Sequence, residues 1–130
     1  MSRSPIAAAL CRHELKDRDD IFIDSAGSLY TSGSILRETG QALDLIELKP
    51  LRYVPHHLSR KSEQEWDLVV IFDADAEPVA RAHLKAKEFL LLPVSDPVDV
   101  PPEKWLTSHI RAREVIAEWI KAEVLPRVKR

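Results

Sequence analysis

Arg3-Ser4-Pro5, just ahead of the apolar run Ile6-Ala7-Ala8-Ala9-Leu10-Cys11, is the stretch whose residue types come nearest to a chemical site. Ser4 suits a helix N-cap. Pro5 suits the first helical position, where a missing N–H costs nothing and a fixed φ already fits a helix. An arginine next to such a start faces unsatisfied backbone N–H groups and the positive end of a helix dipole. Together these features describe a seat for a phosphate-like anion, whose oxygens the planar guanidinium takes two at a time.

Other reactive side chains read as structural. The one cysteine, Cys11, falls two turns into the helix and is expected to be a small buried thiol. A single cysteine excludes an intramolecular disulfide and any Cys-x-x-Cys motif. His56 and His57 are adjacent, so in an extended segment they point to opposite sides. His13, His83 and His109 have no ligand-type partner at helical spacing, and neither a metal nor another cofactor is expected. Trp66, Trp105 and Trp119 lie in apolar patterns that suit a core.

Arg3 needs a scaffold, and the hydrophobic pattern supplies one. After the first helix and the charged turn Lys16 to Asp20, Ile21 to Ile23 predicts a short strand. Thr31 to Ser34 offer caps for a second helix that buries Ile35, Leu36, Ala42, Leu43 and Ile46 in one stripe, interrupted by Gly40. Residues 50–57 predict an irregular connection. Leu68 to Phe72 is apolar without alternation, as in a strand covered on both faces at the centre of a parallel sheet. Asp75 to Lys87 predicts a helix with Pro78 in its first turn, and Phe89 to Val94 a further strand. Prolines make 96–102 irregular. From Glu103 to about Leu125 a long helix presents Leu106, Ile110, Ile116, Trp119, Ile120 and Val124 at helical spacing. The alternation predicts a single α/β domain over 1–130, three-layer α/β/α with a short parallel sheet and right-handed crossovers.

Ser2-Arg3-Ser4-Pro5 followed by a small-residue helix resembles the second half of the phosphate loop of low-molecular-weight protein tyrosine phosphatases, which reads Cys-x5-Arg-[Ser/Thr] and then Pro. Three further segments resemble that family in its own order: Ile21 to Ser28, with Asp-Ser-Ala-Gly at 24–27; His57-Leu58-Ser59-Arg60, then Trp66 to Asp73; and Pro93-Val94-Ser95-Asp96-Pro97. The resemblance spans residues 2 to about 120. It implies a phosphotyrosine protein phosphatase I-like fold, with Ser2, Arg3 and Ser4 binding phosphate, Arg3 stabilising the transition state and Asp96 as general acid.

In that family a thiolate attacks phosphorus, the aspartic acid protonates the leaving phenol, and water then releases phosphate. The position six residues before Arg3 precedes Met1, so neither the nucleophilic cysteine nor the first strand is expected within these 130 residues. Two expectations fit. In one, the start lies upstream and the whole protein is an active phosphatase; in the other, the chain is a non-catalytic remnant serving binding or assembly. The additional cysteines of arsenate-reducing relatives have no counterpart. Leu29-Tyr30 is the aromatic candidate for substrate contact.

The expected partners are a phosphorylated protein or a small aryl phosphate. A net charge of −2 with no clustered basic stripe carries no footprint of nucleic-acid binding. No membrane association is expected and the location expected is cytoplasmic, since no apolar run spans a bilayer and no secretion signal opens the chain. Absence of an interior strand would expose an edge and apolar helix faces, so self-association is possible. Stability should also suffer: urea unfolding of the 130-residue chain is expected at a low midpoint, or with pairing rearranged around the gap. A cooperative transition with ordinary midpoint and slope would contradict this.

Overall fold

The computed structural model describes residues 3–25, 36–50 and 64–128. Its elements are α1 (Arg3–Glu14), α2 (Arg37–Asp44), β1 (Glu65–Ile71), α3 (Glu77–His83), β2 (Lys85–Leu91), α4 (Trp105–Trp119) and α5 (Leu125–Val128). β1 and β2 pair in parallel, with Leu68 opposite Glu88 and Ile71 opposite Leu91. The fold is therefore mixed α/β, with a two-stranded parallel sheet among the described residues. No helix among the described residues is long and apolar enough to cross a membrane.

Side chains alternate across a strand, so β1 and β2 feed two separate apolar clusters. Leu68, Val70 and Leu90 join the main core, built on Ile6 and Leu10 of α1, Leu43 of α2, and Ile116, Ile120 and Val124 of the last helical run. Val69, Ile71, Phe89 and Leu91 face the other way, onto Ala76, Val79, Ala80 and Leu84 around α3. The continuous apolar reading of β1 is thus explained by cover on both faces. Its expected central place in the sheet is not seen among the described residues, where β2 is its one ladder partner.

Several boundaries differ from expectation. Residues 21–25 run without ladder pairing, so the short strand at Ile21 to Ile23 is absent. Alternation survives as packing: Ile21 and Ile23 lie against the main core, while the exposed Phe22 stacks on Trp66 with ring centroids 6.0 Å apart. α1 already includes Arg3 and Ser4, which puts Ser4 within the first turn rather than at the cap; Pro5 stays among the N-terminal positions that need no N–H. The expected helix over Asp75 to Lys87 stops at His83, and Lys85 to Lys87 open β2.

α2 begins after the N-cap residue Leu36, and its buried residues are Thr39, Ala42 and Leu43. The stripe does not reach Ile46, which is 40% exposed, because the chain reverses immediately afterwards. Leu48 N–H donates to Leu43 O at 3.0 Å and Glu47 N–H to Asp44 O at 3.0 Å, a Schellman closure that returns Leu48 to the core. The cap candidates Thr31 to Ser34, with Ile35, lie outside the described residues, as does most of the 50–57 connection.

The long C-terminal helix is present from Trp105 onward, preceded by a 3₁₀ turn at Pro102–Lys104. Its inner face runs through His109, Ala112, Ile116, Ile120 and Val124; Leu106, placed in the stripe from sequence, is exposed. A π turn at Ile120–Val124 leads into α5. Pro126 explains it, since proline supplies no donor for the carbonyl four residues back and its ring crowds that carbonyl. Arg127 then reaches β2, with Nε 2.9 Å from Glu88 Oε2, and Nη1 donates to Glu123 O at 2.6 Å.

The reversal after α2 places Glu47 at φ 61°, in the left-handed region that disfavours a Cβ. Glu47→Gly should raise stability by up to about 1 kcal/mol, the relief of that conformation exceeding the added entropy of the unfolded chain. Glu47→Val should lower it, and urea midpoints of the two variants check the pair.

Candidate functional site

Three side chains meet where the carboxyl ends of β1 and β2 lie beside the first turn of α1. Beyond the ladder, Leu92 N–H donates to Ile71 O at 2.8 Å and Val94 N–H to Phe72 O at 3.0 Å, so the two chains stay in register past their strands. That continuation holds Asp73 and Asp96 at the same end of the sheet. Proline on both sides of Val94-Ser95-Asp96 keeps the second of these segments out of regular structure.

Arg3 enters this end from α1, its side chain 18% exposed. Nη1 donates to Val94 O at 2.7 Å and to Phe72 O at 3.5 Å. Nη2 lies 3.2 Å from Asp73 Oδ2 and 3.5 Å from Asp96 Oδ2. One guanidinium thus faces two carbonyls and two carboxylates. Each acid is also held through its other oxygen: Asp73 Oδ1 accepts from Asp75 N–H at 2.9 Å, capping the 3₁₀ turn Ala74–Ala76, and Asp96 Oδ1 accepts from Val98 N–H at 3.2 Å.

Of the residues singled out from sequence, Arg3 and Asp96 come together and Ser4 sits one residue along α1 from Arg3. Ser2, the His57 to Arg60 segment and Leu29-Tyr30 lie outside the described residues. Sequence reasoning marked Asp73 only as the end of a strand. The signal available for it was an acid following a fully apolar strand, at the sheet end where ligands of open α/β sheets gather.

The remaining candidates are dispersed. His109 is fully buried in α4, with Nδ1–H donating to Trp105 O at 2.6 Å, a pairing not foreseen from spacing. Trp105 Nε1 donates to Val100 O at 2.9 Å, fastening the proline-rich segment to α4. Trp66, Trp105 and Trp119 are all half-buried. Among the described residues, no three His, Cys, Asp or Glu side chains converge as a metal site would require. No family model matches the chain, and no curated protein matches it.

Cys11 packs half-buried against the main core, and burial, with a smaller contribution from the Glu14 charge, pushes its thiol up from an ordinary 9.0 to about 12. A thiol so placed is neither a thiolate nor a nucleophile at neutral pH. Because the folded value is raised, the contribution to stability is intact below pH 9.0 and is lost as pH climbs from 9.0 towards about 12, where the unfolded thiol ionises first. Urea unfolding at pH 8 and pH 10 should show a drop in the parent chain that Cys11→Ala makes smaller. Native Cys11 should react with Ellman's reagent at pH 8 far more slowly than in denaturant.

Proposed function

We propose that the chain is a low-molecular-weight protein-tyrosine-phosphatase-like domain in which Arg3 binds phosphate in the transition state and Asp96 is the general acid. One observation carries the reading: residues 3 and 96, which the resemblance assigns to one site, lie with Nη2 and Oδ2 3.5 Å apart at the carboxyl end of two parallel strands. The substrate class is an aryl phosphate ester, as a phosphorylated protein or a small molecule. In the reaction a thiolate forms a bond to phosphorus as the aryl oxygen leaves with the proton of Asp96; water then cleaves the cysteinyl-phosphate and releases inorganic phosphate. Arg3, with Ser2 and Ser4, serves the equatorial oxygens.

These 130 residues supply the acid and the arginine but not the attacking sulfur, since Cys11 is a high-pKa core thiol two turns from the helix start. Catalysis on this reading requires a cysteine six residues ahead of Arg3, contributed by sequence upstream of Met1. A second reading, a non-catalytic domain acting in binding or assembly, is favoured by the engagement of Arg3 with two internal carbonyls and the carboxylates of Asp73 and Asp96.

The 130-residue chain should not turn over p-nitrophenyl phosphate, and vanadate-sensitive hydrolysis by it would refute the assignment of the nucleophile. Extending the chain upstream by an apolar strand and a loop that ends Cys-x5-Arg3 should restore hydrolysis. In that extended protein Asp96→Asn should slow turnover of esters with poor leaving groups by about 10² to 10⁴. Failure of the extended protein to hydrolyse any aryl phosphate, while folded, would leave the non-catalytic reading standing.

A further inference from the structure

Asp73 and Asp96 both face Arg3, but only one has a part in the proposed chemistry. As general acid, Asp96 gives a proton to the leaving oxygen in the proposed reaction. Asp73 has no part in it. Its Oδ2 is the nearer of the two to the guanidinium, at 3.2 Å against 3.5 Å, and its Oδ1 is pinned by Asp75 N–H at 2.9 Å. With Nη1 already donating to Val94 O and Phe72 O, the Nη2 edge is the part of the fork that an incoming anion would have to win.

We propose that Asp73 is an internal latch on the anion site: its carboxylate takes the Nη2 edge that a phosphate-type dianion requires, and the site opens when that carboxylate turns away. The inference rests on the reading of Arg3 as the phosphate-binding arginine. A fixed carboxylate acts in two ways. It occupies the donor, and it repels a dianion across a few ångströms of partly shielded space. Asp73 is 43% exposed, so the carboxylate can rotate to water without being buried elsewhere. The 3₁₀ turn Ala74–Ala76 that it caps is the element whose rearrangement would carry it away.

The test is binding of inorganic phosphate to the full chain, followed by ³¹P line broadening at low ionic strength. Asp73→Asn keeps the capping oxygen and removes the charge; it should bind phosphate about tenfold more tightly than the parent. Adding Arg3→Ala should abolish the gain. Asp73→Ser, which also retains an acceptor, should behave like Asp73→Asn and guards against misfolding of either variant. Equal or weaker binding in both variants, with parent binding still lost on Arg3→Ala, overturns the latch and leaves the reading of Arg3 intact. If neither the parent nor either variant shows binding that depends on Arg3, the reading of Arg3 fails and the latch falls with it.

Discussion

The guanidinium of Arg3 joins three pieces of the molecule that share no local sequence: the start of α1, the end of β1 and the end of β2. A two-stranded sheet is not stable by itself and needs helices laid on it in one orientation. Arg3 fixes that orientation from one end. Its hydrogen bond to Val94 O at 2.7 Å bridges residues 91 positions apart. A charged donor to a part-buried carbonyl contributes roughly 1.5 to 3 kcal/mol, and the carboxylates add less, since both are partly exposed to screening solvent. Once α1 is set, Ile6, Ala9 and Leu10 meet Leu43, Ile116 and Ile120 in one core.

The same contacts create a conflict. An arginine that ties strand ends to a helix must spend its donors internally, whereas an arginine that binds phosphate must keep them available. In this molecule Nη1 donates to two carbonyls and Nη2 to Asp73, with Asp96 a further ion-pair partner at 3.5 Å, and both acids are of the sign that opposes a dianion. If Arg3 binds phosphate as proposed, folding and ligand binding draw on one side chain. On that reading a ligand at this end would compete with part of the fold's own wiring.

How much of this was legible in the sequence depended on whether a signal was local. The apolar centre of β1 and the long C-terminal helix were plain from pattern alone. The starts of the strands were not: Glu65, Asp67, Lys85 and Lys87 alternate with half-buried Trp66 and Ala86, and the charges disguised the period of two. Lys87 and Asp67 instead pair at 3.1 Å across the sheet, a contact no short window contains. In the C-terminal helix, a buried histidine and alanine, His109 and Ala112, carry the inner face where Leu106 and Ile110 were the more obvious choices. Arg3 and Asp96 were found through motifs. Asp73 was overlooked as a partner because its approach to Arg3 spans 70 positions and exists only after folding.

The two apolar clusters on either side of the sheet are very unequal. The main one draws on most of the helices, while the one beneath α3 has Ile71 and Ala80 as its buried members. Energies of local opening follow buried apolar contact, and among the described residues α3 and the turn before it rest on the smaller of the two clusters. Asp73 caps the turn that leads into α3, whereas Arg3 belongs to α1, whose residues build the larger cluster. On the proposed latch, the two halves of one ion pair are anchored in ground of different firmness, and fluctuation would part them from the acidic side.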